Sequence, residues 1–306
     1  MKTPLGWAAD RWQLSPRALR WATTAALVMA ILIVLGGAIV RVTGSGLGCP
    51  TWPTCDGTSI ATRPELGIHG FIEFANRALT GVLIIAVGWA IVAARLQRPR
   101  DRMLTRLAWS QFWLVMANAV AGGFTVLVKL NPWIVALHFV LAIGLLATAT
   151  FTWHRARASG PAASPRPPAP AIAWALAIST LTLVVVGTLV SGAGPHSGDS
   201  DLVPRMNITW GIVVWVHAGL AVLVIALTIG LLAVVWRDPA GLLARRRALT
   251  LLVVLLAQGA VGGIQSLTGL PELLVAIHLL GAALTWVGAL RVLLDTDTRL
   301  FRSRNL

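Results

Sequence analysis

Four polar residues lie at matching depth in apolar segments: Asn76, His138, His217 and His278. Each sits about six residues into its segment, or about 9 Å at the helical rise. His138 and His278 are 140 residues apart, and Asn76 and His217 are 141 apart. Two histidines on facing membrane helices can supply the two axial ligands of a haem iron. His217 and His278 are therefore expected to ligate a haem b. The first half offers His138 and, in the second place, the amide of Asn76, which is a poor ligand for iron. A site with one histidine leaves an open position of the kind an iron centre needs to bind oxygen or a substrate-derived species. The competing reading is that the first half has lost its haem.

Glu73 is an acidic residue deep within an apolar span, three residues before Asn76 and so on the same helix face. A buried carboxylate beside a reactive site could transfer protons or stabilise a cation. Arg77 could neutralise a haem propionate or pair with Glu73 itself. Cys49 and Cys55 are the two cysteines, in an outer loop where an oxidising compartment favours a disulfide. That bond could staple the loop or be redox-active. His69, His154 and His196 are read as solvated or interfacial, with His69 as a reserve ligand two turns above Asn76.

The elements that must position these residues follow from composition. The 306-residue chain is 57% hydrophobic and 12% charged, about half the charged share of a soluble domain. Eight apolar runs, near 21–40, 71–94, 106–128, 133–153, 171–191, 211–236, 249–267 and 273–294, are long enough to span a bilayer. The first run continues into Arg41 with no clear cleavage site and is read as a retained helix. The net charge of +14 lies mostly in alternate loops and at the two ends. That places both termini in the cytoplasm, with anionic membrane lipid rather than nucleic acid as the partner of the basic residues. The expectation is an all-α integral membrane protein of the cytoplasmic membrane. Its eight transmembrane helices would form two tandem, pseudo-symmetric four-helix bundles. The first half is 1–155, a Pro/Ala-rich linker covers 156–170, and the second half is 171–306. The repeat is visible where Ala117–Gly123 aligns with Ala257–Gly263 and Val135–His138 with Val275–His278. Gly-Gly pairs at 36–37, 122–123 and 262–263 would allow close helix packing, or let a flat macrocycle lie on the backbone.

The run from Gly36 to Cys55, GGAIVRVTGSGLGCPTWPTC, and the segment Ile72-Glu73-Phe74-Ala75-Asn76-Arg77 resemble motifs of the heme A synthase family. With the repeat and the three histidines, the resemblance covers nearly the whole chain. It implies an oxidoreductase that converts the C8 methyl of heme O to the formyl of heme A by successive hydroxylations, for terminal oxidase biogenesis. It implies haem b on His217 and His278, heme O near His138, Asn76 and Arg77, and a catalytic role for Glu73. Cys49 and Cys55 match the family's outer cysteine pair. Asn76 stands where many members have histidine. A heme O synthase is a candidate partner, and the electron acceptor is not specified by these motifs. The alternative is a b-type membrane cytochrome that carries electrons without oxidising a substrate.

Overall fold

The computed structural model describes residues 3–158, 165–196, 198–199 and 203–301. It is all-helical among these residues. A short helix, α1 (Pro4–Arg11), precedes eight long ones: α2 (Pro16–Val42), α3 (Gly67–Arg95), α4 (Arg102–Leu127), α5 (Pro132–Arg155), α6 (Ala169–Ala193), α7 (Trp210–Val235), α8 (Leu242–Leu267) and α9 (Glu272–Thr296). All eight are long and apolar enough to cross a bilayer. The chain is a multi-pass membrane protein.

Local chemistry fixes the ends. Ser15 accepts the Ala18 N–H at 3.2 Å, with Pro16 at the first helical position of α2. Asp101 accepts the Leu104 N–H at 3.0 Å and starts α4, and Asn131 before Pro132 starts α5. Inside the spans the hydroxyls of Thr150, Thr180, Thr228 and Thr296 each return to the carbonyl four residues back, which pairs these four groups within their own helices.

The helices run past the apolar segments predicted for them. α8 begins at Leu242, seven residues before the expected start, and carries Arg245, Arg246 and Arg247 in its first turns. Hydropathy locates only the hydrocarbon portion, whereas backbone hydrogen bonding continues into the headgroup region. Helix α1 was not expected, because eight residues of mixed polarity give no apolar run.

In the first half α2 packs on α3 and α5, α3 on α4, and α4 on α5. In the second, α6 packs on α7 and α9, α7 on α8, and α8 on α9. Helix α9 also touches α2 and α5, and α5 touches α6. One core cluster joins α2–α5 to Ala283, Trp286, Val287 and Leu290 of α9, and a second lies among α6–α9. The buried Trp286 indole N–H donates to the Ile143 carbonyl at 3.1 Å across that junction. Of the expected linker, 159–164 lie outside the described residues, as do the basic residues Lys2, Arg302 and Arg304. The end carrying Cys49 and Cys55 is called the disulfide face below, and the opposite end the linker face.

Candidate functional site

All four polar positions rest on a glycine of the preceding helix. A Cβ on Gly122 of α4 would lie 3.1 Å from His138 Cε1. One on Gly187 of α6 would lie 3.2 Å from His217 Cε1, and one on Gly262 of α8 would lie 3.2 Å from His278 Cε1. One on Gly36 of α2 would collide with the Asn76 carboxamide oxygen. These glycines therefore seat the side chains. The second glycines of the pairs do something else: Gly37 and Gly263 face open space, and Gly123 is covered by the Trp52 indole.

In each of His138, His217 and His278, Nδ1 is sealed from solvent without a hydrogen-bond partner. That leaves Nε2 as the nitrogen available to a ligand.

His217 and His278 face each other with ring centroids 6.3 Å apart. A metal–imidazole bond of about 2 Å and a ring radius of about 1.1 Å put two trans histidines about 6.3 Å apart, centroid to centroid. The separation of the two rings leaves room for one ion between them. Among the described residues no group of three or more His, Cys, Asp or Glu could hold a metal ion. Two protein donors suit an iron whose other ligands come from a macrocycle.

The first half is built differently. Glu73 is 5% exposed. Its Oε2 accepts the Cys49 N–H at 2.6 Å, and its Oε1 accepts Arg77 Nε at 3.1 Å and Nη2 at 2.5 Å. Arg77 Nη1 donates to the carbonyls of Thr51 at 3.0 Å and Thr54 at 3.1 Å, and Nη2 to that of Cys49 at 3.1 Å. A guanidinium has five N–H donors, and all are engaged. Arg77 is committed to Glu73 and the loop, the second of its two expected roles, with no donor left for a propionate. Cys49 and Cys55 form a disulfide inside that loop. Asn76, one turn deeper, has a sealed and unpartnered Oδ1.

Among the remaining histidines, His69 is exposed and His154 and His196 are half-buried. His69 Nδ1 pairs with Ser45 Oγ at 2.9 Å and His196 Nε2 with the Leu270 carbonyl at 2.8 Å. Both line a cavity of about 460 Å³ on the disulfide face, with Arg41, Gly48, Asp199 and Glu272. Arg41 Nη2 donates to the Ser191 carbonyl at 2.7 Å there, tying α2 to α6. His154 lies 3.7 Å from Asp295 on the linker face. Sequence reasoning missed Gly187, which has no second glycine beside it, and the backbone groups of Cys49, Thr51 and Thr54.

The model of the COX15-CtaA family, cytochrome oxidase assembly protein, matches residues 20–290. The Heme A synthase of Lysinibacillus sphaericus is 37% identical over 124 residues, 40% of each chain. Those of Staphylococcus epidermidis and Macrococcus caseolyticus are 32% identical over 123 residues and 28% over 127. These matches span about two fifths of the relatives' own length. Because the family model extends over most of the chain, from the second turn of α2 into α9, this protein belongs to the COX15-CtaA family of cytochrome oxidase assembly proteins.

Proposed function

We propose that this protein is a heme A synthase: an oxidoreductase that converts the C8 methyl of heme O to a formyl group by successive hydroxylations, with water lost from the geminal diol. The observation that carries the reading is the facing His217–His278 pair beside a second, unequal site in a chain of this family. We assign haem b to His217 and His278 in the half formed by 171–306. Bound there, it supplies one-electron transfer. Heme O is assigned to the half formed by 1–155, at His138 and Asn76, entering from the bilayer with its tail in lipid.

Glu73 is the proposed catalytic group. Its carboxylate is held by the Cys49 N–H and by Arg77, one turn above Asn76. From that position it would take up or stabilise positive charge released as the methyl group is oxidised. Arg77 positions Glu73 and the loop. The Cys49–Cys55 disulfide fixes the Cys49 N–H that binds Glu73 Oε2. With an amide at Asn76, His138 alone would hold the iron of a haem bound in this half, which would leave the iron free for chemistry that a second histidine would block. With the basic loops inside, both termini lie in the cytoplasm and the disulfide face outside the cytoplasmic membrane.

The test is haem extraction and chromatography from membranes that express this chain with a heme O synthase. Heme A or its hydroxylated precursor is expected with the wild type. It should disappear with Glu73→Ala while haem b is retained. Haem b with unconverted heme O in the wild type would replace this reading with that of an electron-carrying b-type cytochrome, for which Asn76 is the supporting observation.

A further inference from the structure

The disulfide loop carries an aromatic side chain to which the chemistry above gives no part. Residues 49–55 form a closed turn. The Cys49–Cys55 disulfide joins its ends. Within it Thr51 Oγ1 donates to the Thr54 carbonyl at 2.9 Å, and Arg77 Nη1 donates to the carbonyls of Thr51 and Thr54 at 3.0 and 3.1 Å. Trp52 stands at the middle of this turn, between the two clamped carbonyls. Its indole lies on Gly123 of α4, where a Cβ would collide with Cγ, Cδ2 and Cε2 of the ring. Gly123 directly follows Gly122, the glycine that seats His138. The indole and the imidazole therefore rest on consecutive residues of one helix, whose Cα atoms are about 3.8 Å apart. Gly263, which aligns with Gly123 in the repeat, would have nothing within 4 Å of a Cβ. Trp52 is 39% exposed, so the ring that covers Gly123 keeps part of its surface open.

An indole held in this way is a flat apolar surface set in place before any ligand arrives. The disulfide, Arg77 and Thr51 fix its backbone, so packing against it costs little further ordering. Flat π systems stack on tryptophan or meet its edge, and a large ring contributes a large contact area. A haem macrocycle is far wider than the step between two adjacent residues. One whose iron is held by His138 must therefore reach whatever rests on the neighbouring residue. A tryptophan that only anchors a loop among lipid headgroups requires neither a glycine seat nor a clamped turn. Resting on the assignment of heme O to this half, we propose that Trp52 is a specificity-determining residue of the first site. Its indole is the wall against which the substrate macrocycle packs when His138 holds the iron. Arg77 then serves two ends, because the guanidinium that holds Glu73 also clamps the turn that presents the wall.

The experiment titrates heme O into the full chain, in detergent and with haem b in its second half, and follows binding by Soret absorbance. Trp52→Ala should weaken heme O binding about tenfold, the upper range for one aromatic contact, with haem b retained. Trp52→Phe should recover most of that affinity. Gly123→Ala forces the indole off α4 and should also weaken heme O binding; it decides the matter if Trp52→Ala does not fold. Gly263→Ala, in open space at the aligned position, should leave heme O affinity unchanged. Unchanged or tighter heme O binding in Trp52→Ala would overturn the proposal. So would a loss of turnover at saturating heme O with affinity intact, which would make Trp52 a support of the loop. A wild type that binds no heme O would overturn the assignment of substrate to this half, and the wall with it.

Discussion

The two halves carry the same seating device and different chemistry around it. In the second half, Gly187 and Gly262 seat two imidazoles that face each other. The positions aligned with Glu73 and Arg77 are Val214 and Ala218. In the first half, Gly36 and Gly122 seat an amide and one imidazole, and a carboxylate, a guanidinium and a disulfide loop close the site from above. Electron transfer needs a saturated, apolar, rigid iron site. Oxidation of a methyl group needs an open position and a group to handle charge. On the function proposed above, one helical scaffold would meet both demands by exchanging three side chains on a single helix, α3 against α7.

The comparison breaks most severely if the histidine pair is removed. His278→Ala should abolish haem b retention in the second half, with first-half haem left in place, as pyridine haemochrome stoichiometry would report. Loss of all haem would mean that the halves do not bind independently. Arg77→Gln comes next. It strands a buried carboxylate and frees three loop carbonyls, and removing one partner of a buried pair typically costs about 3–5 kcal/mol. Chemical denaturation in detergent should show a loss of that order, whereas Ala218→Ser at the aligned position should change little. A smaller effect is expected from Gly187→Ala. The new methyl would press on His217 at Cε1, and haem b affinity should fall about tenfold, as for other perturbations of a ligand's support. A haem titration would check this, and an unchanged affinity would remove the seating role.

The smallest effect concerns the loop itself. Asp56 accepts the N–H groups of Ser59 and Thr58 and pairs with Arg63, which holds its carboxyl down at about 2. Its folded value lies below the unfolded one. Its contribution is therefore complete above the ordinary aspartate range and is lost as pH falls from about 4 toward about 2. Loop protection against proteolysis should decline in that window, and Asp56→Asn should remove the dependence.

Much of this was legible in the sequence. Eight apolar runs gave the helices, and the offset of 140 residues between His138 and His278 gave the repeat. Glu73 stood out because carboxylates are costly in lipid. Other parts were hidden for physical reasons. Gly187 escaped because Gly36 and Asn76 are 40 residues apart while Gly187 and His217 are 30 apart. The longer disulfide loop of the first half breaks the register. The partners of Arg77 are main-chain carbonyls, which no side-chain pattern encodes. Arg157, just beyond α5, and Arg291 of α9 both lie over the Trp153 ring of α5, and only packing brings these residues together.

The inequality of the two sites is tested most directly by electron paramagnetic resonance of the oxidised, haem-loaded protein, compared with Asn76→His. The account predicts one low-spin bis-histidine signal in the wild type, from the His217–His278 site, and a second low-spin signal that arises only in Asn76→His. Two bis-histidine signals in the wild type, or a low-spin signal that survives His278→Ala, would contradict it.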